Sequence, residues 1–230
     1  MSLIRDFIEL FFPHNCCICG DPLVDGEQEI CVKCLMDMPR TRGATGDANY
    51  VEKKFIGRIP ITAATALLIF NRRNISQKIL HQIKYHGNEQ LAIVMGRQLG
   101  LLIATDSRFH DVDLLVPVPL HKRKERRRGY NQSLLLCQGI AQTLPLPIVG
   151  GNLIRNRHTA TQTRKNRQQR LDNMRDVFAV CDARQFEGRH ILLVDDVITT
   201  GATSEACCQT LLTIPGIRIS VAALAVAGDN

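Results

Sequence analysis

The chain has 230 residues, 45% hydrophobic and 22% charged, with a formal net charge of +7. That is the composition of a globular chain with room for one domain and a smaller module, and it excludes disordered and fibrous classes. No run approaches the roughly 18 consecutive apolar residues of a membrane-spanning helix. The N-terminus, with Arg5 before Asp6 and Glu9 and no small-residue cleavage site, does not read as a secretory signal, so a cytoplasmic location is expected.

Taken in chain order, residues 3–12 place Leu3, Ile4, Phe7, Ile8 and Phe11 at helical spacing, and Pro13 ends the run. A helix this short needs a surface to pack on, either its own domain or, as the alternative, the inner face of the membrane. Arg5, Asp6 and Glu9 do not make the basic polar face that the membrane alternative requires. Residues 14–40 carry five of the nine cysteines and with the helix define a module over 1–42. Residues 43–58, with Gly43, Gly46, Asp47, Asn49 and Gly57, read as a linker.

From residue 59 strand-like and helical patterns alternate. Strands are expected at 62–70, 114–118, 191–194 and 217–226, and helices at 75–85, 90–104, 131–143 and 202–212. Prolines 117 and 119 close the second strand, and Pro145 and Pro147 stop the third helix. Such alternation predicts an α/β domain with a mostly parallel sheet flanked by helices, here over 59–230.

Nine cysteines, an odd number in a chain expected in the cytoplasm, argue against a disulfide framework and toward metal binding. Cys16/Cys19 and Cys31/Cys34 form two C-x-x-C pairs, and four thiolates so spaced close a tetrahedral shell around Zn2+. A module this small buries too little apolar surface to fold unaided, so the zinc would be structural. The alternative, free thiols or a redox pair, would require one pair to open a thioredoxin-like helix. Cys17 is read as a neighbour, because replacing Cys16 would shorten the turn to C-x-C. Cys137, Cys181, Cys207 and Cys208 are read as core residues.

Charge is concentrated. Residues 121–175 hold thirteen Lys and Arg against two Asp and Glu, whereas the remaining 175 residues are net acidic. This points to a phosphate-rich ligand or a nucleic-acid backbone. The run Arg123, Arg126, Arg127 and Arg128 fits a diphosphate contact, a track for single-stranded DNA or a solvated basic loop.

The most informative stretch runs from Ile191 to Thr203. An apolar strand delivers Asp195 and Asp196 at its carboxyl end, where ligands of open α/β sheets bind, and turns through Thr199, Thr200 and Gly201 into a helix. The backbone amides of Ile198, Thr199, Thr200, Gly201, Ala202 and Thr203 are positioned to surround a phosphate, and the carboxylates suit ribose hydroxyls, with Mg2+ held through water. Neither Walker A nor G-x-G-x-x-G occurs.

This stretch resembles the 5-phosphoribosyl-1-pyrophosphate (PRPP) signature of type I phosphoribosyltransferases. Together with Leu115-Val116-Pro117-Val118-Pro119-Leu120, Arg128-Gly129-Tyr130-Asn131-Gln132, Thr161-Gln162, Arg170, Asn173, Phe178 and the four cysteines, it is similar to the ComF family, also called ComFC or GntX-like. The resemblance implies a phosphoribosyltransferase-like domain joined to a zinc ribbon and an association with natural competence and imported single-stranded DNA. Asp195 and Asp196 would hold the ribose hydroxyls, Leu120, His121 and Lys122 the pyrophosphate, and residues 155–170 a mobile hood, with residues 61–70 and Leu153 shaping an acceptor pocket. His158 is read as a loop residue. Three roles are expected to compete: a Mg2+-dependent phosphoribosyltransferase of unnamed acceptor, a PRPP-sensing or DNA-binding protein without catalysis, and an adaptor for DNA-uptake or helicase partners.

Overall fold

The computed structural model describes residues 14–41, 49–71, 74–155 and 177–228. Residues 3–12, His158 and the expected hood beyond Arg155 lie outside them.

Four parallel strands form the main sheet: β1 (Ala64–Phe70), β2 (Leu114–Pro117), β5 (His190–Ile198) and β6 (Arg218–Ala227), in the order β1-β6-β5-β2. The two central strands read as continuous apolar runs because both of their faces are covered. In β6, Ala222, Ala223, Leu224 and Ala225 are fully buried. A second, antiparallel ribbon pairs β3 (Leu153–Arg155) with β4 (Phe178–Val180). Residues 61–70 were expected to help shape an acceptor pocket from the hood. They contribute β1, which pairs along its length with β6 as an edge of the main sheet.

One face of the sheet is covered by α2 (Ile75–Tyr85), α3 (Glu89–Ala104) and α5 (Gln132–Ala141). Each starts at an asparagine whose side-chain oxygen accepts backbone N–H groups of the first turn: Asn74 from Ser76 and Gln77, Asn88 from Leu91, Asn131 from Ser133. Helices α3 and α5 cross unusually closely. A Cβ on Gly139 would stand 2.1 Å from the Ile93 carbonyl oxygen, and one on Gly96 would stand 2.3 Å from that of Leu136, so only glycine permits the approach. The other face carries α6 (Ala202–Leu211), the ribbon and Phe186.

The cysteine module includes α1 (Val32–Met36) and is not a bead on a string. Cys16, Ile18, Ile30, Cys31, Cys34 and Met38 share a core with Ile79, Leu80 and Ile83 of α2. Lys78 and Gln82 of α2 donate to the carbonyls of Ile18 and Cys17, at 3.2 Å each, and Asn88 donates to Glu29 at 2.7 Å. Of the segment expected as a linker, the described part, 49–58, also packs into the molecule. Val51 and Phe55 are buried in the second core, and Asn49 donates to Ala64 at 2.6 Å. Apolar side chains spaced four apart outweighed the glycines that suggested a tether.

At the amino end of β5, His190 is fully buried between Asp111 (2.7 Å) and Ser220 (2.9 Å). Ser220 is fully buried as well, so this Asp-His-Ser chain ties strand ends together, with Asp111 at the surface end.

Candidate functional site

Strand β5 runs past the expected end of its apolar segment, through both aspartates to Ile198. Successive residues of a strand face opposite sides of a sheet, so the two carboxylates meet different partners. Asp195 turns toward α6. It is 7% exposed, one carboxylate oxygen accepts the Asp196 N–H at 2.8 Å, and the other accepts the Ser204 hydroxyl at 3.3 Å. Burial, reinforced by the neighbouring Asp196 charge, pushes its carboxyl up to about 7. Asp196 turns toward α2, where the Lys84 ammonium lies 2.9 Å from its carboxylate. The two carboxylates are therefore unequally placed, Asp195 buried against Ser204 of α6 and Asp196 paired with Lys84 of α2.

Both line a cleft of about 170 Å³ at the carboxyl end of the sheet. Its wall brings in Lys84, Lys124, Arg128 and Arg155, four cations around two carboxylates, together with Asn131, Gln132, Ser133 and Thr203. Arg128 Nη1 donates to the Gln132 side-chain oxygen at 2.8 Å. Arg128 Nε and Gln132 Nε2, both buried, meet no acceptor among the described residues. Both residues line the cleft, where a ligand or ordered water can supply an acceptor.

The basic run is helical rather than a loop. Residues 122–128 form α4 (Lys122–Arg128), capped by His121, whose Nδ1 accepts the Arg123 N–H at 3.2 Å, and ended by Gly129 at φ +87°. The helix separates the expected residues. Lys124 and Arg128, four apart, line the cleft with Leu120, while Lys122, Arg123, Arg126 and Arg127 are exposed outside the described wall. After β5, Thr199 and Thr200 are exposed, Gly201 adopts φ +79°, and α6 begins at Ala202. The Ile198 side chain packs into the core, leaving Val197 and Thr203 on the cleft wall.

Sequence reasoning missed Lys84 and Lys124, while Arg155, the first residue of the expected hood, lines the cleft. Lys84 lies in a helix more than a hundred residues from the aspartates, and nothing local marks it. Lys124 could have been found from the i, i+4 spacing with Arg128 had the segment been read as a helix.

At the other site, the sulfur atoms of Cys16, Cys19, Cys31 and Cys34 all lie within 4.8 Å of one another. Cys19 and Cys31 are 3.7 Å apart, close to the roughly 3.8 Å edge of a tetrahedron with 2.3 Å metal–sulfur bonds. Backbone amides aim at sulfur, Cys31 N–H at Cys16 and Cys34 N–H at Cys31, at 3.4 Å each. Burial alone would raise the Cys16 thiol, but amides of Cys19, Cys31 and Ile18 outweigh it and hold it at about 7, near thiolate formation at neutral pH. The donor set fits a thiophilic metal. Cys17 is outside the cluster, and burial pushes its thiol up to about 12. Of the four cysteines read as core, Cys137, Cys207 and Cys208 are buried, whereas Cys181 is exposed just after β4.

No family model matches the chain. It is 35% identical over 137 residues to the DNA utilization protein YhgH of Escherichia coli K12, covering 58% of this chain and 60% of that protein. It is 31% identical to Competence protein F of Haemophilus influenzae over 151 residues, 64% of this chain and 66% of that one. Competence protein ComFC of Bacillus subtilis matches at 25% over 147 residues, 63% of this chain and 56% of the relative. The chain thus matches about three fifths of the length of these relatives. Among solved structures, a glutamine PRPP amidotransferase from B. subtilis superposes at TM-score 0.41 and 22% identity, over 57% of this chain and 26% of that one. An adenine phosphoribosyltransferase does so at 0.37 and 16%, over 64% and 74%. These likenesses assign no residue a role. With an α/β sheet, a clustered set of four cysteines and these relatives, the chain is similar to the competence proteins F and ComFC and to the DNA utilization protein YhgH.

Proposed function

We propose that the cleft at the end of β5 binds PRPP. The observation that carries this reading is the wall itself: two aspartates of unequal exposure, four cations and two buried donors that lack acceptors, gathered around one small volume. An anionic sugar diphosphate supplies hydroxyls to the carboxylates and oxygens to the cations and orphan donors. In this reading Asp196 accepts from the ribose diol with Asp195 behind it, and the turn at 198–203 with the start of α6 takes the 5′-phosphate. Lys124, Arg128 and Gln132, with Leu120 and the chain leading into Lys122, face the diphosphate. Mg2+ would enter with the diphosphate oxygens, Asp196 accepting from its water shell, since among the described residues the only cluster of three or more metal-ligating side chains is the cysteine one.

Turnover would break the C1–O bond of PRPP as a nitrogen nucleophile forms the C1–N bond. Pyrophosphate would leave with the bonding electron pair, and the nucleophile would lose its proton. The chain's part would be positioning and neutralising the leaving group's charge. The test is pyrophosphate release from PRPP with and without Mg2+ across purine bases, pyrimidine bases and amines. Release stimulated by one acceptor supports a transferase. PRPP binding without release supports a sensing role, and no PRPP binding overturns the reading.

The four cysteines are proposed to hold one structural Zn2+, whose release would loosen α2 and with it Lys84.

A second reading, binding of single-stranded DNA, is favoured by one observation. Tyr130 and Phe178, the aromatics nearest the basic segment in sequence, are engaged: Tyr130 donates to the Ile83 carbonyl and Phe178 is buried. The fold instead brings Tyr85, 63% exposed, under the Arg128 guanidinium at 5.8 Å, with the His81 ring tilted beside it, centroids 4.9 Å apart. An exposed aromatic next to a basic helix offers both stacking and phosphate contacts. The relatives' names, DNA utilization and competence, agree with such a role. Affinity for an oligothymidylate that falls steeply with salt and drops in Tyr85→Ala supports it, and salt-independent affinity opposes it.

A further inference from the structure

The segment between the cysteine module and the sheet holds more than the core together, because it grips the turn after β5 from behind. Arg58 Nη1 donates to the Thr200 carbonyl at 2.8 Å and to the Lys54 carbonyl at 3.0 Å, while its other terminal nitrogen pairs with the Glu205 carboxylate. Phe55 is fully buried, and its ring lies 3.2 Å from where a Cβ would stand on Gly201. We propose that Arg58 is a positioning residue for the phosphate-binding turn 198–203, a role that rests on the PRPP reading of that turn.

Two physical effects follow from its contacts. In a planar trans peptide the C=O and N–H point in opposite directions, so fixing the Thr200 carbonyl on Arg58 fixes the Gly201 N–H facing away from it. Glu205, in the first turn of α6, places a negative charge where the helix would otherwise attract an anion. Arg58 neutralises that charge without itself lying on the cleft wall. Its side chain is 40% exposed, so removing it leaves no buried void.

The contact is specific to one end of the ligand, which makes it testable by dividing PRPP into its halves. Full-length protein and its Arg58→Ala, Arg58→Lys and Arg58→Ala/Glu205→Gln variants are titrated with ribose 5-phosphate and, separately, with inorganic pyrophosphate and Mg2+. Arg58→Ala is expected to weaken ribose 5-phosphate about tenfold while pyrophosphate changes less than about twofold. Arg58→Lys falls between, and adding Glu205→Gln to Arg58→Ala recovers part of the loss. A merely structural role would move both ligands together with the melting temperature. Equal loss of both ligands, or no loss of either, overturns the role of Arg58 while leaving the PRPP reading intact. A parent protein that binds neither ligand overturns both.

Discussion

Replacing Asp195 with Asn isolates what it costs to hold a carboxyl inside this sheet. The folded protein raises that carboxyl from its ordinary value of 3.8 to about 7, chiefly through burial. A carboxyl raised by folding binds its proton more tightly in the native than in the unfolded state. The native state is therefore penalised progressively as pH rises from about 4 to about 7, and the full penalty persists above. About three pH units at 1.36 kcal/mol each set an upper limit of roughly 4 kcal/mol. Part of this is already lost at mildly acidic pH, so between about pH 5 and pH 8 the neutral amide should gain about 2 kcal/mol relative to the parent. Asn also keeps an oxygen for the Asp196 N–H and an N–H2 for the Ser204 hydroxyl. Urea denaturation of parent and variant at the two pH values measures the difference, and the cysteines, common to both proteins, cancel. A variant whose change in stability is the same at both pH values refutes the reasoning, because Asp195 would then carry no extra charge penalty in the fold.

The remaining predictions concern separate parts of the molecule. Lys84→Met should weaken PRPP at least about tenfold with little change in melting temperature, since it removes the cation 2.9 Å from Asp196 at a partly exposed position; unchanged affinity in calorimetry counts against its place in the site. Cys31→Ser should release bound zinc, read with a chelating dye, and lower the melting temperature of the whole chain, because the module shares its core with α2; one zinc retained per chain would contradict the four-sulfur site. Gly139→Ala should destabilise by roughly 3 kcal/mol or more, or block folding, as its methyl would stand 2.1 Å from a carbonyl oxygen; a shift under about 1 kcal/mol would show that α3 and α5 separate easily.

What could be read from the sequence was what local chemistry repeats. The strands and helices of the α/β domain follow from apolar periodicity, and α2 begins and ends where its Asn74 cap and Gly87 place it. The two C-x-x-C pairs were legible because tetrahedral ligation fixes a spacing. Three features were not. The approach of α3 to α5 depends on glycines on two helices, and neither sequence alone states that the other is near. The unequal environments of Asp195 and Asp196 arise because β5 continues through them, sending neighbours to opposite faces. Lys84 reaches Asp196 and Arg58 reaches the following turn from remote elements, so only tertiary packing brings them there. The basic run misled in a different way: arginine, lysine and glutamate are good helix formers, and six basic residues with Glu125 between His121 and Gly129 made a helix where charge alone suggested a loop.

The claim on which the rest depends is that the cleft holds an activated pentose phosphate. Calorimetric titration of PRPP with Mg2+ into the zinc-loaded full chain, parallel with an Asp195→Asn/Asp196→Asn variant shown to keep its fold and zinc, tests it most directly. Saturable one-site binding to the parent that is lost in the variant is the predicted result. Equal affinity in the two proteins, or no heat from either, would contradict the account.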